Sequence, residues 1–309
     1  MGQNLVDPNL LTSQAWEFVH PAKQALVGWV DSVLEKPVAI TSVRERPWSV
    51  SFKVSTREGV WWAKAVTPGF VPDYHALTPA LVDRFSCLPE MSIVDRGQQF
   101  MLIPYYGSTL KFMPTKLPWL EMLASYGMVQ PELPTSHLST LSHFDALTMV
   151  DRDLVSLNLV SPEQRNVLVS WVDRSYELCD NIPWLSVHND IHANNVTVSG
   201  VVLDWSDSSI LPATCALLSP VRYVSYMYGR LVSDIVVNRY LQSLSVATGF
   251  PISPFYKSLP GAFTISALAK IRLFVDIAAK LPEYMGPCRA AITVWLAEVE
   301  NVRKCIEER

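Results

Sequence analysis

Apolar and polar positions change period several times along this chain, and each change marks an element. From Pro21 to Glu35, the residues Ala25, Leu26, Trp29, Val30 and Leu34 recur near helical spacing and predict one amphipathic helix. The period then drops to two. Val38 to Val43, Ser49 to Ser55 with Val50, Phe52 and Val54 alternating, and Val60 to Val66 after a turn at Arg57-Glu58-Gly59 predict three antiparallel strands. A further apolar strand runs from Gln99 to Tyr105, ended by the turn Pro104-Tyr-Tyr-Gly107. Helical patterning dominates afterwards, over Leu117 to Met128, Pro162 to Cys179, Val221 to Val237 and Ala262 to Cys305. The exception is a pair of short β-branched runs on either side of Ser199-Gly200, which predicts a hairpin over 196–203. With Ser199 and Gly200 as its loop, Val196 faces Leu203 and Asn195 faces Asp204. The pattern predicts an α+β chain of two lobes, a small antiparallel β-lobe over 1–104 and a larger, mostly helical lobe over 105–309.

Composition narrows the setting. A length of 309 residues is long for one core and fits two lobes. A net charge of -4 shows no basic excess, which argues against a nucleic-acid partner. The five cysteines are scattered without a Cys-x-x-Cys pair, so neither a disulfide framework nor a zinc knuckle is indicated, and a reducing cytoplasm fits. Met1-Gly-Gln-Asn-Leu-Val6 has neither the pattern of a secretory signal nor that of a myristoylation site. No apolar run reaches the length of a membrane span, and no membrane partner is expected.

The densest chemistry lies in His188-Asn-Asp-Ile-His-Ala-Asn-Asn195 and in Asp204, nine residues further on. A hydroxyl that attacks the γ-phosphate of a nucleotide must shed a proton to a neighbouring carboxylate, for which Asp190 is suited. Magnesium shields the phosphates and prefers carboxylate or amide oxygens, which Asn195 and Asp204 offer across the predicted hairpin. Asp and Asn also cluster at ordinary turns, so no one of these residues is diagnostic alone. His188 and His192 share the spacing of a zinc-binding helix signature, but that signature needs Glu after the first His, where Asn189 stands.

Lys64, inside the strand Trp61-Trp-Ala-Lys-Ala-Val66, has two readings: a charge guarding a sheet edge, or a cation that holds the α- and β-phosphates. The Asp-Asn-Asp set downstream favours the second. Ile103 and Tyr105, where the two lobes join, could offer backbone groups to a nucleotide base.

Together these residues resemble the aminoglycoside phosphotransferase (phosphotransferase enzyme) family, which has a bilobal protein-kinase-like fold. The likeness covers roughly residues 40 to 210 and centres on the family loop His-Gly-Asp-Leu-His-Pro-Gly-Asn. Arg46-Pro-Trp-Ser49 through Lys64, and Asp204-Trp-Ser-Asp207 followed by Pro212, also look like one bacterial branch of it. The resemblance implies Asp190 as catalytic base, Asn195 and Asp204 as Mg2+ ligands, Lys64 on the phosphates of ATP or GTP, and a small hydroxylated acceptor.

Departures from the pattern are specific. Asn189 and Asn194 replace two loop glycines, and Asn is the residue that best tolerates the left-handed backbone after Gly. His75 stands where the family carries the Glu that pairs with the lysine, leaving Asp73 as an alternative partner. Arg44-Glu-Arg-Pro-Trp-Ser49 replaces a glycine-rich phosphate loop, so backbone groups or Ser49 would have to serve. The leading expectation is an antibiotic-inactivating O-kinase acting as a monomer or homodimer. A metabolite kinase and a nucleotide-binding module without turnover are the alternatives. The aromatic set Tyr223, Tyr226, Tyr228, Phe274 and Trp295, with few acids such as Asp207 and Glu283, reads first as core. If it lines the acceptor site, it favours a less charged molecule such as a nucleoside or macrolide-like antibiotic.

Overall fold

The computed structural model describes residues 13–34, 39–46, 49–66, 77, 79–90, 93–112 and 115–307. Helix α1 (Ser13–Val33) starts earlier than its apolar spacing indicated and carries Pro21 inside it. Leu26 and Val30 are buried, with Trp29 and Val33 beside them, whereas Ala25 faces solvent. Strands β1 (Ala39–Arg46), β2 (Ser49–Ser55) and β3 (Val60–Val66) follow. β2 and β3 keep the limits their alternation predicts. β1 runs on to Arg46, its pairing with β2 continuing past an irregularity between Ser42 and Arg44. That bulge, followed by Arg44-Glu45-Arg46, removes the period-two signal from the strand's second half.

A short helix α2 (Pro79–Val82) leads to β4 (Ile93–Asp95) and β5 (Phe100–Pro104), which complete an antiparallel sheet of order β1-β2-β3-β5-β4. β4 was missed by the reading because three residues are too few to show alternation. Since side chains alternate across a sheet, Val50, Phe52, Val54, Ala63, Ala65, Phe100 and Leu102 share the face packed on α1. Ser49, Ser51, Lys64, Met101 and Ile103 fall on the other face.

The rest is helical: α3 (Leu117–Val129), α4 (His143–Thr148), α5 (Pro162–Cys179), α6 (Leu218–Tyr228), α7 (Arg230–Thr248), α8 (Ile252–Lys280) and α9 (Met285–Glu307). Two helices read from sequence are each two. Gly229, at φ 85° and ψ 168°, separates α6 from α7. Leu281 leaves helical geometry just before Pro282 and separates α8 from α9, as a residue preceding proline is disposed to do. α5 and α8 cross closely at Gly261, where an added Cβ would lie 2.4 Å from the Ser175 carbonyl oxygen. Between α5 and α6 the chain makes strands β6 (Trp184–Val187) and β7 (Ser209–Pro212), paired antiparallel. Among the described residues, no helix is long and apolar enough to cross a membrane.

Candidate active site

Strands β6 and β7 clamp the two ends of one excursion, residues 188–208, which holds Asp190, Asn195, Asp204 and Asp207. His188 organises its base. The imidazole is fully buried, accepts from the Asp190 N–H at Nδ1 (3.2 Å) and donates from Nε2 to the Leu203 carbonyl (2.9 Å). One ring therefore fixes both the backbone of Asp190 and the residue before Asp204. Burial pulls its pKa down to about 4, so it is neutral, as a ring that accepts at one nitrogen must be. With both nitrogens engaged it has none for a metal, which removes the zinc reading of His188 and His192.

The hairpin exists, but in a different register. Val196 pairs with Val202, Thr197 receives and returns backbone bonds around Val201 and Gly200, and the Leu203 N–H donates to the Asn195 carbonyl at 2.7 Å. The loop is thus Val198-Ser199-Gly200, with Gly200 at φ 85°, the left-handed position of a three-residue turn. Asn195 consequently faces Leu203, and the predicted pairing with Asp204 is wrong by one residue. Asp204 lies one step on, itself left-handed at φ 62°, a conformation that is strained for most side chains and clusters at functional sites. Of the two asparagines in glycine positions, Asn189 is left-handed (φ 59°) and Asn194 is not.

Lys64 settles its own ambiguity by position. β3 lies between β2 and β5, so the lysine guards no edge. It is 6% exposed, and its Nζ is 2.6 Å from Asp204 Oδ1. A lysine that buried requires a partner. Arg44 Nη1 lies 3.4 Å from Asp204 Oδ2, and the Ser206 hydroxyl donates to Oδ1 at 2.9 Å. Burial would raise the Asp204 pKa, but Lys64 and Arg44 outweigh it and hold the carboxyl well below the usual range.

On the helical side, Lys270 of α8 reaches the same loop. Its Nζ is 2.5 Å from Asp190 Oδ1 and 3.0 Å from Asp207 Oδ2. Burial would weaken the Lys270 charge, but the two carboxylates raise its pKa above the ordinary lysine value. Asp190 is affected in the opposite sense: burial pushes its carboxyl up, yet Lys270 and His192 hold it below the usual range. His192 Nε2 lies 3.3 Å from Asp190 Oδ2. Asp207 comes out raised, because burial and the neighbouring Asp190 and Asp204 charges exceed what Lys270 supplies.

Asn195 donates from Nδ2 to the Asp190 carbonyl (3.1 Å) and carboxylate (3.2 Å), which turns its Oδ1 away from Asp190. That amide oxygen and the Asp204 carboxylate are hard oxygen donors, the type a magnesium ion takes. Asn195 and Asp204 therefore offer donors of the right type for the ion, while among the described residues no group of three or more His, Cys, Asp or Glu is placed to hold one.

The structure brings together Lys64, His188, Asp190, His192, Asn195, Asp204 and Asp207. Among the described residues, Ser49 and Ile103 lie on the same sheet face as Lys64 but hydrogen-bond none of the carboxylates. The Tyr105 ring stacks near Trp62, with Lys53 Nζ 4.5 Å from its centroid, and its N–H donates to the Val60 carbonyl. Asp73 and His75 lie outside the described residues. Sequence reasoning missed Lys270, Tyr126, whose hydroxyl accepts from the His188 N–H, and Ser266, whose hydroxyl donates to Asn189 Oδ1. Lys270 did leave a signal: a lone charge within the apolar run Ala267-Leu-Ala-Lys-Ile271 of a helix. In the aromatic set, Tyr223, Tyr228, Phe274 and Trp295 pack at the margin of the core, and Tyr226 is exposed.

No protein-family model matches the chain, and no curated protein matches it. Solved structures do. The choline kinase LicA from Streptococcus pneumoniae superposes with a TM-score of 0.66 at 11% identity, over 90% of this chain and 99% of that one. The GDP complex of aminoglycoside 2'-phosphotransferase-IIIa gives 0.61 at 10% identity, over 91% and 98%. The spectinomycin phosphotransferase APH(9)-Ia, in complex with ADP and spectinomycin, gives 0.59 at 10% identity, over 91% and 98%. The chain has the bilobal protein-kinase-like fold that the loop motif led us to expect.

Proposed function

We propose that this protein is a small-molecule O-phosphotransferase that moves the γ-phosphoryl group of ATP or GTP to a hydroxyl of its acceptor. The observation that carries the reading is the convergence of buried Lys64 of the sheet with the Asp-Asn-Asp set of the 188–208 excursion. Lys64 Nζ lies 2.6 Å from Asp204 and the Asn195 amide 3.2 Å from the Asp190 carboxylate. Several proteins of the same fold are named as kinases of choline, ethanolamine or aminoglycosides, and two as complexes with GDP or ADP.

In this reading Asp190, kept ionised by Lys270 and His192, accepts the hydrogen bond of the acceptor hydroxyl and orients it. It takes the proton as the new P–O bond forms and the bond from the γ-phosphorus to the bridging oxygen breaks, releasing ADP or GDP. Lys64 turns from Asp204 to the nucleotide phosphates, and Arg44 and Ser49 border them from the β1–β2 end. Ile103 and Tyr105 border the base, but Ile103 is paired with Trp62 and the Tyr105 N–H with the Val60 carbonyl, which leaves the Tyr105 carbonyl to meet it. Asn195 and Asp204 would hold Mg2+, which when bound neutralises charge on the phosphates. The site otherwise works by positioning, with no covalent intermediate. Five free thiols, four of them buried, suit a reducing cytoplasm.

The acceptor class we assign is a hydroxylated antibiotic, whose phosphorylation would protect the host. The test is incubation of the purified chain with Mg2+, ATP or GTP and a panel of antibiotics, choline, homoserine and sugars. Acceptor-dependent nucleotide consumption with an added phosphoryl mass on an antibiotic supports the proposal. Phosphorylation of choline, homoserine or a sugar alone would make it a metabolite kinase, and nucleotide binding without turnover would make it a non-catalytic module.

A further inference from the structure

The cleft carries its own ammonium ion. Lys270 is only 3% exposed, it bridges Asp190 (2.5 Å) and Asp207 (3.0 Å), and its Nζ lies 5.8 Å from the ring centroid of Trp295. Two carboxylates beside an aromatic ring are the features with which a protein holds an organic cation. Here a side chain of the chain itself takes them. The same ring is also approached by Arg222, whose Cζ is 4.7 Å from the centroid and which pairs with Glu298 at 3.1 Å. Lys270 is no ordinary surface charge folded inward. It sits on α8 among buried residues, including Ala267, Leu268 and Ile271, and the chain holds it there with two ion pairs.

We propose that Lys270 is a resident cation that sets acceptor specificity: the molecule whose hydroxyl reaches Asp190 bears no positive charge near that hydroxyl, and is neutral or anionic. The inference rests on Asp190 being the residue that meets the acceptor. A second ammonium within about 4 Å of Lys270 Nζ would meet, from that one charge alone, a repulsion equivalent to about 10³-fold in binding at a partly screened site. Asp190 and Asp207 carry two negative charges against the one of Lys270 and offset part of that repulsion, but the oxygens that would receive a second ammonium are already taken by Lys270 Nζ.

The test is calorimetric titration of the whole chain with ethylammonium and with tetramethylammonium, for the wild type and for Lys270→Ala. The wild type should bind neither saturably. Lys270→Ala vacates the ammonium position and should gain ethylammonium binding by on the order of tenfold or more, a gain lost again when Asp207→Asn is added. Saturable cation binding to the wild type that Asp207→Asn weakens, or a Lys270→Ala protein that folds and gains nothing, would overturn the proposal. Where Lys270→Ala does not fold, wild-type turnover decides: a kcat/KM for choline or an aminoglycoside at or above that of neutral and anionic hydroxylated acceptors overturns it, and the reverse order upholds it. Absence of nucleotide binding would instead count against the phosphotransferase reading, and the cation titrations would keep their meaning.

Discussion

Lys64 and Asp204, 140 residues apart in sequence, join the sheet to the helical lobe through a 2.6 Å ion pair. The cation proposed for the phosphates therefore rests on the carboxylate proposed for the metal. Arg44 adds a second positive charge on Asp204 at 3.4 Å. Free Mg2+ has to compete with both. Titration with Mg2+ alone should give weak, unsaturating heats, whereas Mg2+ added with a non-hydrolysable ATP analogue should bind tightly, because phosphates draw Lys64 away. By linkage, Mg2+ then tightens the nucleotide by the same factor. Tight Mg2+ binding in the absence of nucleotide would contradict this arrangement.

Lys64→Met removes the phosphate contact and leaves Asp204 with Arg44 and Ser206. The expected loss in kcat/KM for the nucleotide is on the order of 10²-fold, the usual weight of one preorganised charge donor. A Lys64→Met protein within a factor of about two of the parent, well under that donor's weight, would remove Lys64 from the phosphate site.

His188 gives a pH dependence with a definite sign. Its pKa is about 4 in the folded protein and near 6.5 in an unfolded chain, so between these values the unfolded state binds the extra proton. Stability should fall as pH drops from about 6.5 towards 4, by up to ~3 kcal/mol. Thermal melts across that range should show His188→Gln less stable than the parent at neutral pH but with a shallower acid limb. Parallel limbs for the two proteins would show that this ring does not titrate as its burial requires.

Gly261 and Gly28 make a matched pair. A Cβ at Gly261 would meet the Ser175 carbonyl at 2.4 Å and Leu178 at 3.0 Å, so Gly261→Ala should cost about 1–3 kcal/mol by forcing α5 and α8 apart. At Gly28, in α1, nothing among the described residues lies within 4 Å of an added Cβ, and Gly28→Ala should stabilise the helix by up to about 1 kcal/mol. Denaturant melts of the two variants should move in opposite directions.

What the sequence revealed follows from how local each signal is. β2 was legible to its end residues because one face is packed on α1 and alternation records that face, and β3 because an apolar run follows the turn at Arg57-Glu58-Gly59. The loop motif placed Asp190, Asn195 and Asp204 in one region because all three lie on the excursion that β6 and β7 close. The hairpin register was misread because Ser199-Gly200 suits a two-residue turn, while the left-handed φ of Gly200 serves equally as the last position of a three-residue one. β6 and β7, at four residues each, are too short to carry a period. Lys270 was not legible as a site residue, since its partner Asp190 is 80 residues away and only the packing of α8 joins them.

Asp190 is the residue on which the proposed chemistry depends, and Asp190→Asn tests it with little change in shape. Turnover and nucleotide affinity should be measured together on the parent and the variant, with the acceptor found by the panel. We predict a kcat lower by on the order of 10²-fold or more with nucleotide affinity unchanged. An Asp190→Asn protein that phosphorylates the acceptor at the parental rate would contradict the account.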